Sequence, residues 1–576
     1  MRGAWKLFMN ALDYVVLLGT ILGIALFGMW RTRGRHNLDS YLRGSGESRW
    51  FVVGLSVMAT QASAVTFLST PGQGFASGLG FIQIYFGMPI ALIIIAAVFL
   101  PIYRRLHVIT AYEYLGRRFD AKARLLGAGI FLLQRGLGAG ITIYAPAIVL
   151  STVFGWRLDA TIICSGLVVI AYTVSGGSDA VNETQKYQIG VIFAGMVAAC
   201  VVLLHKLPAG LHLADALTLA GGMHKLQAVN FSTNPRERYT LWSGVLGATF
   251  LMLAYFGTDQ SQVQRYISGA SLRESRLGLM FNAVCKIPMQ FFILSLGVLL
   301  FLFYQFEKPP VYFNQVEWKH QEERGDAGRM QAIEADFDTA HDRERLQLEA
   351  WLNARRTGDS VAETAARASV STAHEQVEAI RAQAELAVDP TGKKKDTDYV
   401  FITFILGYLP HGIIGLLVAT FFAAALSAKA AELNALGSAT TVDFYRHVIK
   451  RQASDAHYLA ASKWFTVFWG LVSISFALSA TLAENLIQAV NIVGSIFYPV
   501  MLGLFMVGFF LRHIGGTAVF WGALATQVLV IALYFRLNIS YLWYNLIGCA
   551  ACVLFSSILQ VVLGLADRIT PPPSKS

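Results

Sequence analysis

FFAAALSAKAAELNALGSATTVDFY, residues Phe421–Tyr445, is the stretch on which the reading of this chain turns. It forms the second half of an apolar run that starts near Gly412, yet Ser427, Lys429, Glu432 and Asn434 sit inside it. An ionisable side chain at membrane depth costs about 2.5–3.5 kcal/mol on insertion scales, so it marks a site or an ion pathway. The question this helix raises is what the protein carries.

Composition agrees with a membrane chain. Of 576 residues, 55% are hydrophobic and only 14% charged, against roughly 25% charged in soluble domains. Apolar segments of about 20 residues, enough to cross a ~30 Å hydrocarbon layer, recur along the length. We place about thirteen spans, at 11–30, 50–74, 81–103, 124–152, 157–175, 187–205, 239–257, 278–303, 411–440, 461–481, 486–511, 515–535 and 541–565. The first lacks a small-residue cleavage site and is read as retained.

The net charge of +10 does not indicate nucleic-acid binding, because the basic residues cluster in alternate short loops. Arg31, Arg33, Arg35, Arg43 and Arg49 form one cluster, and Arg104, Arg105, Arg117, Arg118, Lys122 and Arg124 another. Arg265, Arg273 and Arg276 follow, then Arg446, Lys450 and Arg451. The positive-inside rule makes these loops cytoplasmic. The amino terminus is then outside and the Pro571–Pro573 tail inside, in a multi-pass protein of the bilayer, expected in a bacterial inner membrane. Cys164, Cys200, Cys285, Cys549 and Cys552 all lie within spans and read as small packing residues. Neither a phosphate-cradling loop, H-E-x-x-H, nor a G-x-S-x-G elbow occurs, so no enzyme and no cofactor is indicated.

Residues 305–397 break the pattern, being polar and rich in Ala, Glu, Arg and Gln. Met330, Ile333, Phe337 and Ala340 recur at helical spacing, as do Val377, Ile380 and Ala384. Ser360-Val-Ala-Glu363 has the spacing of a capping box, and Pro390 with Gly392 marks an end. The expectation is an extracytoplasmic helical hairpin that serves as a lid or spacer, or as a docking point for a protein partner.

Two segments read as interrupted helices, where freed backbone carbonyls can hold a cation. One is 59–78, with Pro71, Gly72, Gln73 and Gly74 as the expected break; the other is 254–266, from Gly257. They occupy matching places in two sets of five spans, 50–205 and 239–511, which fits an inverted repeat. The expected organisation is then 1–49 (first span and cytoplasmic loop), 50–205, a loop at 206–238, and 239–511 interrupted by 305–397. Two final spans and a tail make up 512–576.

Four motifs in order resemble the sodium:solute symporter family, which includes sodium/glucose, sodium/iodide, proline and sialic acid transporters. They are Tyr112–Phe119 (YEYLGRRF), Gln134-Arg135 with Tyr144-Ala-Pro146, Tyr255–Gln260 (YFGTDQ) with Gln264-Arg265, and 423–445 ending Asp443-Phe-Tyr445. The resemblance runs from about residue 10 to 565 and implies an all-α, LeuT-type five-plus-five inverted repeat with alternating access. It implies symport of a small polar organic solute driven by a cation, Na+. By the resemblance the cation is held by carbonyls of Ala59 and Ala62 and, across from them, by Ala424, Ser427 and position 428.

The chain departs from that pattern at Ala428, where a hydroxyl is expected, and at Lys429. A second sodium site is expected to be absent, since Gln185 and Lys186, with Ala430 and Ala431, replace its acid and hydroxyls. Lys429, with Lys186, could act as a built-in cation that makes transport proton-linked or sodium-independent; alternatively Lys429 pairs with Glu432 at i,i+3 or snorkels. Thr66, Ser69, Gln73, Tyr85, Tyr255, Lys286 and Asn491 are the candidate solute contacts. Lys286 and Asn491 match sugar-contact positions, and Lys286 suits a small carboxylate equally. Arg135, Asp259 and Glu432 complete the intramembrane polar set, with Arg135 read as an ion-pair or gate residue. Two other classes stay open, a transporter-like solute sensor and a passive uniporter.

Overall fold

The computed structural model describes residues 9–32, 49–61, 63–208, 211–391, 395–479 and 484–569. Among them the elements are helical, with no β-strand. Among the described residues nine helices are long and apolar enough to cross a membrane, and five shorter apolar helices accompany them. The Ile413–Ile449 helix lies at the centre, with 89% of its most apolar stretch buried, whereas Asp455–Ser479 and Tyr541–Gly564 have 28% and are peripheral. Small residues let neighbours approach this central helix closely: Gly437 packs on the Ser462 carbonyl and Thr466. Its start is capped from the first helix, Ala11–Thr32. Asp13, fully buried, accepts the Gly412 and Gly415 amides at 2.6 and 3.3 Å, a carboxylate at a helix N-terminus.

Both expected interruptions are present and fall within the expected segments, 59–78 and 254–266, but the first lies at Ser63 rather than at Pro71–Gly74. Helix Trp50–Gln61 is followed by Ala64–Ser77, with Ser63 extended at φ −73°, ψ 176°. Pro71, Gly72, Gln73 and Gly74 are helical and buried. The reason is packing. A Cβ at Gly72 would collide with the Thr397 carbonyl, and one at Gly74 with the Leu294 carbonyl, so these glycines allow a close helix crossing that outweighs their low propensity. The second break falls at Asp259 (φ −77°, ψ 119°), between Ala248–Thr258 and Gln260–Ile267. The expected loop between spans 157–175 and 187–205 is helical, within Leu158–Lys206.

Helix Leu272–Phe306 crosses both halves of the first broken helix. Gly278 meets Gly54 at one crossing, and Gly297 meets Pro71 and Gly74 at the other. The insertion is a hairpin of Ala327–Thr357 and Ser360–Val388 that turns at Gly358 (φ +72°). Asp359, rather than Ser360, caps the second helix, accepting the Val361 and Ala362 amides. Met330, Ile333, Phe337, Ala340, Val377 and Ala384 fill its own core. Beyond the hairpin, Lys225 donates to the Phe75 and Ala76 carbonyls at 3.0 and 2.7 Å.

Two outcomes are expected. Gly297→Val drives a branched side chain into the Pro71 carbonyl, which lowers the melting temperature in detergent through about 1–3 kcal/mol of overpacking. Burial pushes the Lys225 ammonium down to about 8 from near 10.5, against the raising effect of Glu378 and Glu344. Between those values the unfolded chain holds a proton that the folded chain has shed, so stability rises with pH across the window. Thermal-shift curves from pH 7.5 to 10.5 show that rise in the parent protein and a flatter profile in Lys225→Met.

Candidate solute and cation site

The second break sits beside a closed set of charges. Arg135, from helix Ala121–Thr142, is 3% exposed and donates to the fully buried Asp259, to Tyr498 Oη at 3.2 Å and to Glu432 Oε1 at 3.2 Å. Tyr498 Oη donates to Asp259 Oδ2 at 2.9 Å, and Asp259 Oδ1 accepts the Ser261 amide and hydroxyl at 2.9 and 2.7 Å. The same carboxylate that opens the helix therefore caps its next segment. Glu432 Oε2 accepts Lys429 Nζ at 2.8 Å and Thr142 Oγ1 at 3.1 Å, while Lys429 also donates to the Ala139 carbonyl. Two cations thus face two anions. Tyr255 closes one side, with its ring 5.6 Å below the Arg135 guanidinium and 6.0 Å from Tyr498.

Next to this cluster, at the first break, lies a small cavity with room for about one water-sized species. Its walls are Ser63, Ala64 and Val65 on one side, Thr142 and Ala145 on another, and Ala425, Ala428, Lys429 and Glu432 on the third. Residues 425, 428, 429 and 432 form one helical face. Ser427 points elsewhere, donating to Gln188 Oε1 at 2.9 Å and to the Ala424 carbonyl at 3.1 Å. Ala59 and Ala424 are buried; Ala62 lies outside the described residues, as do the side chains of Gln185 and Lys186. Oxygen donors from Ser63, Thr142 and Glu432 suit a hard monovalent cation, although the Lys429 ammonium already engages the carboxylate.

The candidate solute contacts divide into two groups. Ser69 and Gln73 are used internally: Ser69 Oγ accepts the Ile487 amide at 3.2 Å, and Gln73 Oε1 accepts Asn485 and Gln488 at 2.5 and 2.6 Å. Asn491, half-buried, donates to the Ile487 carbonyl, and Thr66 spans the first break to the Gln61 carbonyl at 3.3 Å. Lys286 is different. It is fully buried, its Nζ has no hydrogen-bond partner, and it lies 5.8 Å from the Tyr85 ring centroid. One turn away on either side, Asn282 has both amide atoms unpartnered and Gln290 keeps a free Oε1, its Nε2 reaching Thr70 Oγ1 at 3.3 Å. Asn282, Lys286 and Gln290 form one polar line at i, i+4, i+8.

Sequence reasoning missed Tyr498, Thr142, Gln188, Asn282 and Gln290. The pairing of Arg135 with Asp259 and Glu432 had a signal, since lone buried charges demand counter-charges; the hydroxyl and amide partners had none.

Breaking the buried set from one side leaves an uncompensated charge. Arg135→Met or Asp259→Leu alone is expected to cost about 3–5 kcal/mol, and the double variant markedly less than the sum. A double-mutant cycle on thermal unfolding in detergent checks this; additive losses would show that the pair is not coupled.

The comparisons place this architecture. The chain is similar to the human sodium/iodide cotransporter (32% identical over 304 residues, 52% of this chain and 46% of that protein). It is also similar to the human sodium-coupled monocarboxylate transporter 1 (35% over 275 residues, 47% and 45%). These matches span a little under half the length of those relatives. The sodium/sialic acid symporter SiaT of Proteus mirabilis is 24% identical over 578 residues, 98% of each chain. The solved substrate-bound, outward-open structure of a Na+-coupled sialic acid symporter superposes with a TM-score of 0.71 at 23% identity, covering 96% of this chain and 98% of that one. The fold is therefore the LeuT-type arrangement. The family pattern matches residues 41–308 and 382–526, and the chain belongs to the sodium:solute symporter family.

Proposed function

We propose that this integral membrane protein is a secondary active symporter for a small organic carboxylate, coupled to sodium. The observation that carries the solute class is Lys286. A buried ammonium without a partner is costly, and a carboxylate entering beside Lys286 and the Tyr85 ring would pair it and accept a hydrogen bond from the free Nδ2 of Asn282, leaving Gln290 Oε1 to accept from a solute hydroxyl. Two relatives named for acids, the monocarboxylate and sialic acid symporters, support the same class. Sodium is supported by the family and by the oxygen donors around the first break. The basic loops would face the cytoplasm.

A second reading of the driving ion has its own observation. Lys429 stands in the cavity wall with its ammonium on Glu432. A tethered cation there would do the work of a mobile one, and transport would then be independent of sodium.

Thermal-shift measurements with small carboxylates and with neutral sugars, each with and without sodium, test the solute class. A ligand at 100 times its Kd adds about 2.7 kcal/mol to apparent stability. Carboxylates are expected to stabilise the parent protein and to lose that effect in Lys286→Met. Stabilisation by a neutral sugar that survives Lys286→Met would sink the proposal. In proteoliposomes at fixed pH, replacing sodium by choline is expected to abolish accumulation of the stabilising acid; unchanged accumulation would favour the tethered cation. Binding without accumulation would indicate a sensor.

A further inference from the structure

Residues 309–381 lie outside the family match, yet the insertion they form reaches the first broken helix by two routes. The first runs through its base. Arg381, on the second hairpin helix, donates to both oxygens of Asp396 at 3.4 and 3.3 Å and stacks over Phe313. Asp396 Oδ2 also accepts the Phe313 amide at 2.5 Å, and the Asp396 carbonyl accepts Tyr399 N, which fixes the turn Thr397–Tyr399. Two things follow from that turn. The Thr397 carbonyl sits on Gly72 so closely that a side chain there would collide. Asp398 accepts the Leu486 amide at 3.1 Å and is bonded to Ser69. The base of the hairpin thus pins residues 69–72 to the start of helix Leu486–Phe510.

The second route runs along the hairpin's far half. The Trp351 ring covers Gly222, and Arg367 donates to the Gly222 carbonyl at 3.2 Å. Arg356 pairs with Asp215 at 3.1 Å. These three contacts hold the helix Leu213–Gly222, whose following turn presents Lys225 to the Phe75 and Ala76 carbonyls. That lysine closes the C-terminal end of Ala64–Ser77, where helix carbonyls otherwise lack partners. The two routes are separate in sequence and end within eight residues of one another, at 69–76.

We propose that the insertion is a strap that holds residues 69–76 of the broken helix against the start of helix Leu486–Phe510, so that this end of the bundle opens only when the strap's hold is released. Arg381 is a positioning residue, acting on Asp398 through Asp396. The strap is built from packing and hydrogen bonds alone and involves neither the solute nor the ion.

Hydrogen exchange on the full chain in nanodiscs tests it without any ligand. Losing a charge-assisted buried bond is expected to speed local opening on the order of tenfold. Arg381→Ala should speed exchange at both 66–78 and 484–490, while Arg381→Lys lies closer to the parent. Lys225→Met, which cuts only the second route, should speed 66–78 and leave 484–490 as in the parent. Arg343→Ala, on the exposed hairpin surface, should change neither. Faster exchange confined to the insertion itself in both test variants overturns the strap. If Arg381→Ala is not recovered as folded protein, Lys225→Met decides alone, and unchanged exchange at 66–78 overturns it.

Discussion

Arg135 and Lys429 against Asp259 and Glu432 make a neutral, almost fully buried set of charges. In a low-dielectric interior the charge of each of these groups has to be balanced by the others. Because they come from helices Ala121–Thr142, Ile413–Ala439 and the break at Asp259, with Tyr498 adding helix Leu486–Phe510, the set dictates how four helices meet. It also dictates where the second broken helix opens. Asp259 spends one oxygen on capping the segment that follows and the other on Arg135 and Tyr498, so the extended residue is tied to the ion pair.

The two breaks differ in what surrounds them. At Asp259 the freed backbone is locked by side-chain charge. At Ser63 the residue makes no side-chain cap and faces a small cavity whose opposite wall carries Lys429 and Glu432. The first broken helix is gripped instead by close glycine contacts on helix Leu272–Phe306, at Gly54 and Gly278 and at Gly74 and Gly297. That helix also carries Asn282, Lys286 and Gln290 on one line.

Much of this was legible in the chain. Hydropathy and length defined most of the spans, because burial in lipid demands long apolar helices whatever their neighbours. The hairpin's core positions, Met330 to Ala340 and Val377 to Ala384, followed from helical period alone. The capping residue did not, since Asp359 and Ser360 are both good caps and only the turn at Gly358 selects between them. Motif order was enough for the family.

Where the helices break was another matter. Pro71 and Gly72 look like the stronger interruption by propensity, yet they stay helical because the glycines buy close contact with Thr397 and Leu294. Ser427 looked like a cation ligand and instead meets Gln188, a residue 239 positions away in sequence. Composition and local period were enough to set the class of protein, its helical content and which charges had to be buried. Tertiary structure alone decided which charge meets which, where the backbone opens and which polar groups are left without partners, because those depend on contacts between segments far apart in the chain.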